Sequence, residues 1–390
     1  MDYGTCVTNP PNEQWRLFRD NRPPSTHVHL DSAAAGRSSL KTLSTVSGYA
    51  EREAVVGAPV AAAEAQGVLS AGRTALGELL GMEAGSIAFV ESATAALGVL
   101  LRAWPLMAGS TVAVLPSEWG PALDAFLDRG LRIAMLAVDG NGLIDLDALR
   151  QFVAMTPPAF VHLNLVASHR PLVQPVAGAV SICREAGVPV WVDAAQGLGH
   201  VDAACGADVI YATSRKWLCG PRGVGIIGVA SPWWRRLRPR ASEMDREEMQ
   251  PDESPVLLLE SREGHMAGRI GLCAAVGEHV TLGPAAVRSR LASIGRLTRE
   301  TLAGVPGWEV VEAPDGVAGE CAITALRPVA GQKVSLVRSF LLAEHRIVTT
   351  AAARARAPRE MKEPYLRISP HVDCTPEDLD LLRDALLALR

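Results

Sequence analysis

Residues Val190–His200 read VWVDAAQGLGH and residues Tyr211–Gly225 read YATSRKWLCGPRGVG. An apolar run of β type leads into each: Pro189–Asp193 into the first and Asp208–Thr213 into the second. Strands that are apolar throughout belong in a parallel sheet covered on both faces. Polar residues at the C-terminal ends of such strands face the crevice where α/β proteins bind ligands. Asp193 ends one strand, and Lys216 lies 23 residues later, just past the next, so the two can meet in that crevice. The Gly220-Pro221-Arg222-Gly223-Val224-Gly225 run behind the lysine imposes a tight turn with close backbone approach.

Outward from this stretch the same texture continues. Thr111–Leu115, Arg132–Val138, Phe160–Val166 and Gly223–Ala230 are further strand candidates. Pro175–Ala186 is a helix with Val176, Val180 and Cys183 at helical spacing and Gly187 as its stop. Strands alternating with helices predict an α/β domain with a mostly parallel sheet. Ser231–Pro255, rich in Arg, Glu, Pro and Trp, reads as an exposed connection. Beyond it the pattern predicts a long helix over His265–Ala303 with a break at Gly283-Pro284, then short strands at Cys321–Leu326 and Tyr365–Ile368. The last helix is well marked. Thr375 caps it, Pro376 opens it, Asp378 is the third-position acid, and Leu379, Leu382, Leu386 and Leu389 share a face.

The 390 residues carry a formal charge of −4, with 38 basic against 42 acidic side chains. This balance gives no support to a nucleic-acid surface. The seven cysteines are scattered and form no C-x-x-C, so neither a disulfide framework nor a metal site is expected. The polar, Pro-rich opening MDYGTCVTNPPNEQWRLFRDNRPP has no signal-peptide core, and no run reaches membrane-spanning length. A cytoplasmic chain with no membrane partner is the expectation.

An amine and a carboxylate in one crevice, with phosphate donors nearby, is what pyridoxal phosphate (PLP) requires. Its aldehyde condenses with an amine, its pyridine nitrogen stays protonated beside a carboxylate, and its phosphate needs donors. Lys216 and Asp193 are the candidate catalytic pair, and Thr213 and Arg215 flank the lysine as phosphate donors.

These strings resemble the class V aminotransferase-like PLP enzymes, the group of cysteine desulfurases, isopenicillin-epimerase-like proteins and C–S lyases. The likeness runs from about residue 14 to the C-terminus through His29–Ala35 (HLDSAAA), Glu91–Thr94 (ESAT), Ser168–Val176 (SHRPLVQPV) and Leu366–His371 (LRISPH). It implies the fold-type I PLP-dependent transferase architecture, α/β, with a mostly parallel seven-stranded sheet in the large domain and a small C-terminal α+β domain. The implied division is an N-terminal arm at 1–28, a PLP-binding domain at 29–264, and an interdomain helix with the small domain at 265–390. A homodimer is implied as well.

The resemblance also assigns roles. Ala93 and Thr94 would hold the phosphate at a helix N-terminus, whose free N–H groups favour anions. Trp119, in PSEW, would stack on the ring, Asp193 would pair with its nitrogen, and Gln196 and Ser168 would lie by its phenolic oxygen. Ser261 would reach the partner subunit's phosphate. Arg367 would grip the substrate α-carboxylate, with Ala34 and His169 beside the substrate. Three positions depart from the group's pattern. Trp119 stands where desulfurases carry His, Arg215 where many relatives have His, and Glu260-Ser261 where Gly-Thr is expected.

A desulfurase needs a nucleophilic cysteine, and the relevant loop, Val348–Pro358 (VTTAAARARAP), has none. Within the group the chain resembles the C–S lyases that cleave hercynylcysteine sulfoxide, through WRLFRDNRP at Trp15–Pro23, HLDSAAAGRSS at His29–Ser39, Ala63-Glu64-Ala65 and the strings above. That implies β-elimination from an S-substituted cysteine, giving pyruvate and ammonia. The alternatives are a decarboxylating deaminase of S-glycosyl-cysteines, an epimerase, a desulfurase, or a non-catalytic regulator. The intact lysine and the lack of a helix-turn-helix argue against the regulator. Arg37, Arg170, Arg354, Arg356 and Arg359 are open between recognition of the sulfur substituent and plain surface, with the surface reading preferred for the 354–359 run. His200 reads as structural and Trp233-Trp234 as a packing or interface patch.

Overall fold

The computed structural model describes residues 13–240 and 254–389. Residues 241–253 of the predicted connection and the first twelve residues lie outside them.

Two-residue β1 (Val28–His29) comes first. The central sheet follows: β2 (Ile87–Val90), β3 (Thr111–Val114), β4 (Arg132–Met135), β5 (Phe160–Asn164), β6 (Val190–Asp193), β7 (Val209–Thr213) and β8 (Gly225–Val229). These seven lie in the order β2-β8-β7-β6-β5-β3-β4. β7, β6, β5, β3 and β4 run parallel, and β8 runs antiparallel to both of its neighbours. The architecture is the expected α/β one.

Side chains alternate across each strand, and both faces are dry. Val190, Val192 and Ile210 enter one core, while Trp191, Val209 and Tyr211 enter the other. Phe160 stacks on Trp191 with ring centroids 4.1 Å apart in the second core. This explains the continuous apolar runs in the sequence, since neither face of the strand is left to water. β2, which the strand candidates omit, is four buried residues directly ahead of the Glu91–Thr94 segment.

The C-terminal region has its own sheet, β12 (Thr350–Ala352), β13 (Tyr365–Ile368), β10 (Thr324–Pro328) and β9 (Trp308–Val310), in that order. β1 pairs with β11 (Ile347–Val348), so the chain's opening is tied to this sheet. The long predicted helix is two, Met266–Leu282 and Pro284–Leu302, bent by 82° where the break was expected. Gly283 takes φ +81 there, in the left-handed region where glycine carries no Cβ penalty. No single helix among the described residues is long and apolar enough to cross a membrane. In the final helix, Pro376–Leu387, Thr375 and Asp378 form the reciprocal capping box.

β10 starts three residues later than the sequence suggests. The Cys321 and Ile323 carbonyls accept from Arg299 Nη1, and the Ala322 N–H donates to His200 Nε2. Side chains satisfy these backbone groups, so no strand ladder is needed. This join also relies on Gly295, where a Cβ would overlap the Cys321 carbonyl oxygen, whereas a Cβ at Gly277 meets nothing within 4 Å. Gly277→Ala should therefore stabilise the protein by about 0.5–1 kcal/mol. Gly295→Ala should cost about 1–3 kcal/mol as the helix is pushed off its neighbour. Urea unfolding of the two variants checks both signs.

Candidate active site

The parallel register places Asn164, Asp193 and Tyr211 side by side across β5, β6 and β7. His162, two residues before Asn164, and Thr213, two after Tyr211, share that face. β7 turns into β8 through a loop that carries Lys216. The turn is closed by the Ser214 N–H to the Val224 carbonyl, 3.1 Å, and the Gly220 N–H to the Ser214 carbonyl, 3.0 Å. Cys219 sits in the left-handed region, φ +55, so the loop is tightly constrained. Across it, the Gly36 N–H donates to the Arg215 carbonyl at 2.8 Å. A Cβ at Gly36 would overlap the Lys216 carbonyl, so only glycine lets the chain's opening lie against this loop.

A cavity of about 260 Å³ opens between these parts. Asp193, Gln196, Thr213, Arg215 and Lys216 line it from the sheet ends. Ala93 and Thr94 line it from the helix Ala93–Ala103, and Trp119, Ser168 and Ala34 line it as well. The chain has four lysines, Lys41, Lys216, Lys333 and Lys362. Lys41, Lys333 and Lys362 are exposed on the surface, and Lys216 faces the cavity.

Burial works against charge on both members of the central pair. It pushes the Lys216 amine down to about 7, and the nearby Arg367, Arg215 and Arg356 guanidiniums act in the same direction against Asp193. It pushes the Asp193 carboxyl up, against Lys216 and the Ala195 N–H, which donates to Asp193 Oδ1 at 2.7 Å.

Beneath the cavity lies a buried network that the sequence reading did not pick out. Glu118 Oε2 accepts from His162 Nδ1 at 2.7 Å, and His162 Nε2 shares a hydrogen bond with the Tyr211 hydroxyl at 2.8 Å. Glu118 Oε1 accepts from Asn164 Nδ2 and from the Trp119 N–H, at 3.0 and 2.8 Å. Burial opposes charge on His162, yet Glu118 outweighs it and raises the imidazole pKa. The network fixes Trp119, at the start of the helix Gly120–Asp128, to the strand ends that carry Asp193.

The residues fit PLP. Ser92 caps the helix and takes the Ala95 N–H, which leaves the first-turn N–H groups of Ala93 and Thr94 for an anion. Gly225 permits this approach, since a Cβ there would lie 2.7 Å from both the Ala212 oxygen and the Ser92 carbonyl carbon. Ser168 Oγ and Asn164 Oδ1, on residues lining the cavity, are buried without a hydrogen-bond partner. Gln196 is held in place, with its Nε2 donating to the Ala33 carbonyl and its Oε1 accepting from Trp217 Nε1, each at 2.9 Å.

Three expected residues are not brought to the cavity wall. His169 turns away, with Nε2 3.4 Å from Glu360 Oε2. Ser261 is exposed beside Glu260, with its carbonyl bound by Arg269, and lies outside its own chain's cavity. Arg367 lies fully buried behind Ser168. Its Nη1 donates to the Ser168 carbonyl at 2.8 Å, its Nη2 to Asp31 Oδ1 at 3.1 Å, and its Nε has no partner. Conversely, Ala33, Ser92, Asn164 and Arg356 line the cavity without having been singled out as site residues. Asn164 was findable as the end of its strand and Ser92 as a helix cap. Arg356 corrects the surface reading of its run, while Arg354 and Arg359 are exposed as expected. His200 is structural. Its Nδ1 donates to the Gln196 carbonyl, its ring stacks on Trp217 at 3.7 Å, and burial pushes it down to about 3. Trp233 and Trp234 pack with their ring N–H groups bonded to Asp208 and Val229.

The family model for class V aminotransferases matches residues 28–382, and the chain belongs to that family. It is a PLP-dependent enzyme. It is 44% identical over 380 residues to a probable hercynylcysteine sulfoxide lyase of Mycobacterium tuberculosis (strain CDC 1551 / Oshkosh), covering 96% of this chain and 93% of that protein. It is 28% identical to the isopenicillin N epimerase of Amycolatopsis lactamdurans, over 81% of this chain and 84% of that one. In fold it is similar to the apo cysteine desulfurase of Thermococcus onnurineus NA1, with a TM-score of 0.83 at 17% identity and coverage of 96% and 97%.

An amine held near 7 is about half free base at neutral pH, whereas an ordinary lysine is almost wholly protonated. PLP attachment to cofactor-free protein should therefore quicken as pH rises toward about 7 and level off above it. Stopped-flow absorbance across pH 6–10 would reveal an unperturbed lysine as a rate that keeps climbing toward about 10.

Proposed function

We propose that the enzyme is a C–S β-lyase that cleaves an S-substituted L-cysteine, of the sulfoxide kind, to a sulfenic acid, pyruvate and ammonia. The observation that carries this reading is the cavity's chemistry: a base beside a carboxylate, and no thiol. None of the six described cysteines lines it. Burial pushes Cys219 and Cys321 up to about 11 and Cys374 well above its usual value, so these thiols are protonated and cannot accept sulfur as nucleophiles. The similarity to the mycobacterial lyase, spanning nearly the whole of both chains, supports the same reading.

PLP, when bound, supplies an aldehyde for the substrate amine and a pyridinium ring that withdraws electrons from Cα. Asp193 would hold the proton on the ring nitrogen. Ala93, Thr94, Thr213 and Arg215 would hold the phosphate, with Ser261 of the partner subunit as a further donor. Trp119 would cover the ring, and Gln196 and Ser168 would border its phenolic oxygen. The Lys216 amine takes the Cα proton. The Cα–H electron pair becomes the Cα–Cβ double bond, and the Cβ–S pair leaves with sulfur, which takes up a proton. Water then converts the three-carbon fragment to pyruvate and ammonia. Among the described residues lining the cavity, Lys216 is the amine and Asp193 the carboxylate. With Asp193 on the ring nitrogen, a single base remains. That suits elimination better than epimerisation, which returns a proton to the other face of Cα.

The active unit we propose is a homodimer. The helices Leu40–Val56 and Ala58–Leu80 leave Leu40, Leu43, Val55, Val60 and Val68 exposed, an apolar surface that a second copy would cover. No nucleic-acid or membrane partner is proposed. The cytoplasm is the compartment that suits six free cysteines.

Arg367 holds the substrate α-carboxylate in this reading, through the N–H at Nε that has no partner. That contact orients the Cα–H bond as well as binding the substrate. Arg367→Lys should lose both affinity and rate, with kcat/KM lower by about 100-fold or more. Coupled pyruvate assay on an S-alkyl-L-cysteine sulfoxide, with ammonia measured alongside, checks this. Carbon dioxide and an aldehyde in place of pyruvate would instead identify a decarboxylating deaminase.

A further inference from the structure

The charges around the cavity do not balance. Arg215, Lys216 and Arg356 line it, and Arg367 stands just behind Ser168. The carboxylates are Asp193, on the cavity wall, and Asp31, which is paired with Arg367 at 3.1 Å. Under the lyase reading, the cofactor phosphate neutralises Arg215, the ring nitrogen takes Asp193, the α-carboxylate takes Arg367, and Lys216 is a neutral base. Arg356 is left over. Among the described residues its guanidinium makes no ion pair and no hydrogen bond, although it is half-buried and burial lowers its pKa. The one carboxylate that acts on it, Asp31, does so without contact and is already paired with Arg367. A half-buried guanidinium with no direct partner is costly, so a site that keeps one suits an anion that arrives with the ligand.

Arg356 is also held in place. It closes the short turn Arg354–Arg356, and the next residue, Ala357, packs in a small buried cluster with Ala352 and Met361. The turn sits on the first residue of the helix Gly120–Asp128, where a Cβ at Gly120 would overlap the Ala355 carbonyl oxygen. Trp119, the residue ahead of that helix, lines the same cavity. Arg356 thus enters from the Trp119 side, on a loop separate from β13, which carries Arg367.

We propose that Arg356 is a specificity residue that binds a second carboxylate, carried on the sulfur substituent, so that the enzyme selects cysteine conjugates whose S-substituent is acidic. This rests on the lyase reading for the assignment of the other charges. The probes are S-(3-carboxypropyl)-L-cysteine and its side-chain carboxamide, which differ by one charge at nearly constant shape. Their equilibrium binding to the PLP-loaded enzyme is read from the change in cofactor absorbance. The carboxylate should bind about tenfold or more tighter than the carboxamide, as a charge-assisted contact would give. In Arg356→Gln that ratio should fall to about one, and in Arg356→Lys it should stay between the two, with cofactor loading checked in each. Equal binding of the two probes to the unaltered enzyme would overturn the proposal. So would a Gln variant that weakens both probes alike, because Arg356 would then be holding the α-carboxylate or the loop. Pyruvate release from the sulfoxides of the same probes tests the lyase reading separately. Charge-selective binding with no pyruvate would sink that reading and leave the Arg356 contact standing.

Discussion

Asp193 and Lys216 share one buried space at the ends of adjacent strands, and burial disfavours the charge on each. The pair is useful because of that tension. An amine relieved of its proton can act as a nucleophile and a base, and a carboxylate starved of solvent gains most from a cationic ring nitrogen beside it. Holding the two together is what the surrounding structure does. The parallel register fixes Asp193 between Asn164 and Tyr211. The closed β7–β8 turn fixes Lys216, and the Glu118–His162–Tyr211 network ties the Trp119 helix to the same strand ends.

A second node joins the chain's opening to its C-terminal sheet. Asp31 accepts from Thr350 Oγ1 at 2.7 Å and from Arg367 Nη2 at 3.1 Å. It thereby links the segment after β1 with β12 and β13, and it orients the guanidinium assigned to the substrate carboxylate. The HLDSAAA opening therefore does two things. Its aspartate holds Arg367, and Ala33 and Ala34, small enough to leave room, form cavity wall.

Asp193 and Lys216 were legible because chemistry and backbone pattern coincide there: an apolar run, a polar terminus and a glycine turn. The helix break was legible because Gly283-Pro284 allows little else. Less was legible where tertiary contacts decide. β9 and β12 are three residues each, too short for a period of two to show. Cys321–Ile323 has the composition of a strand, but Arg299 and His200 claim its backbone groups. His169, in the SHRPLVQPV string, is drawn to Glu360, nearly two hundred residues away in sequence, where Arg170 is also paired. Arg354, Arg356 and Arg359 look alike in sequence. One of them lines the cavity because of how Ala355 seats on Gly120, and no local pattern encodes that contact.

The most direct test of Lys216 as the residue that carries the cofactor is chemical. The holoenzyme is reduced with borohydride, digested, and its peptides are mapped by mass. With four lysines in the chain, the pyridoxyl group should appear on the peptide containing Lys216 in stoichiometric yield. Its appearance on Lys41, Lys333 or Lys362, or no covalent label at all, would contradict the assignment of the site.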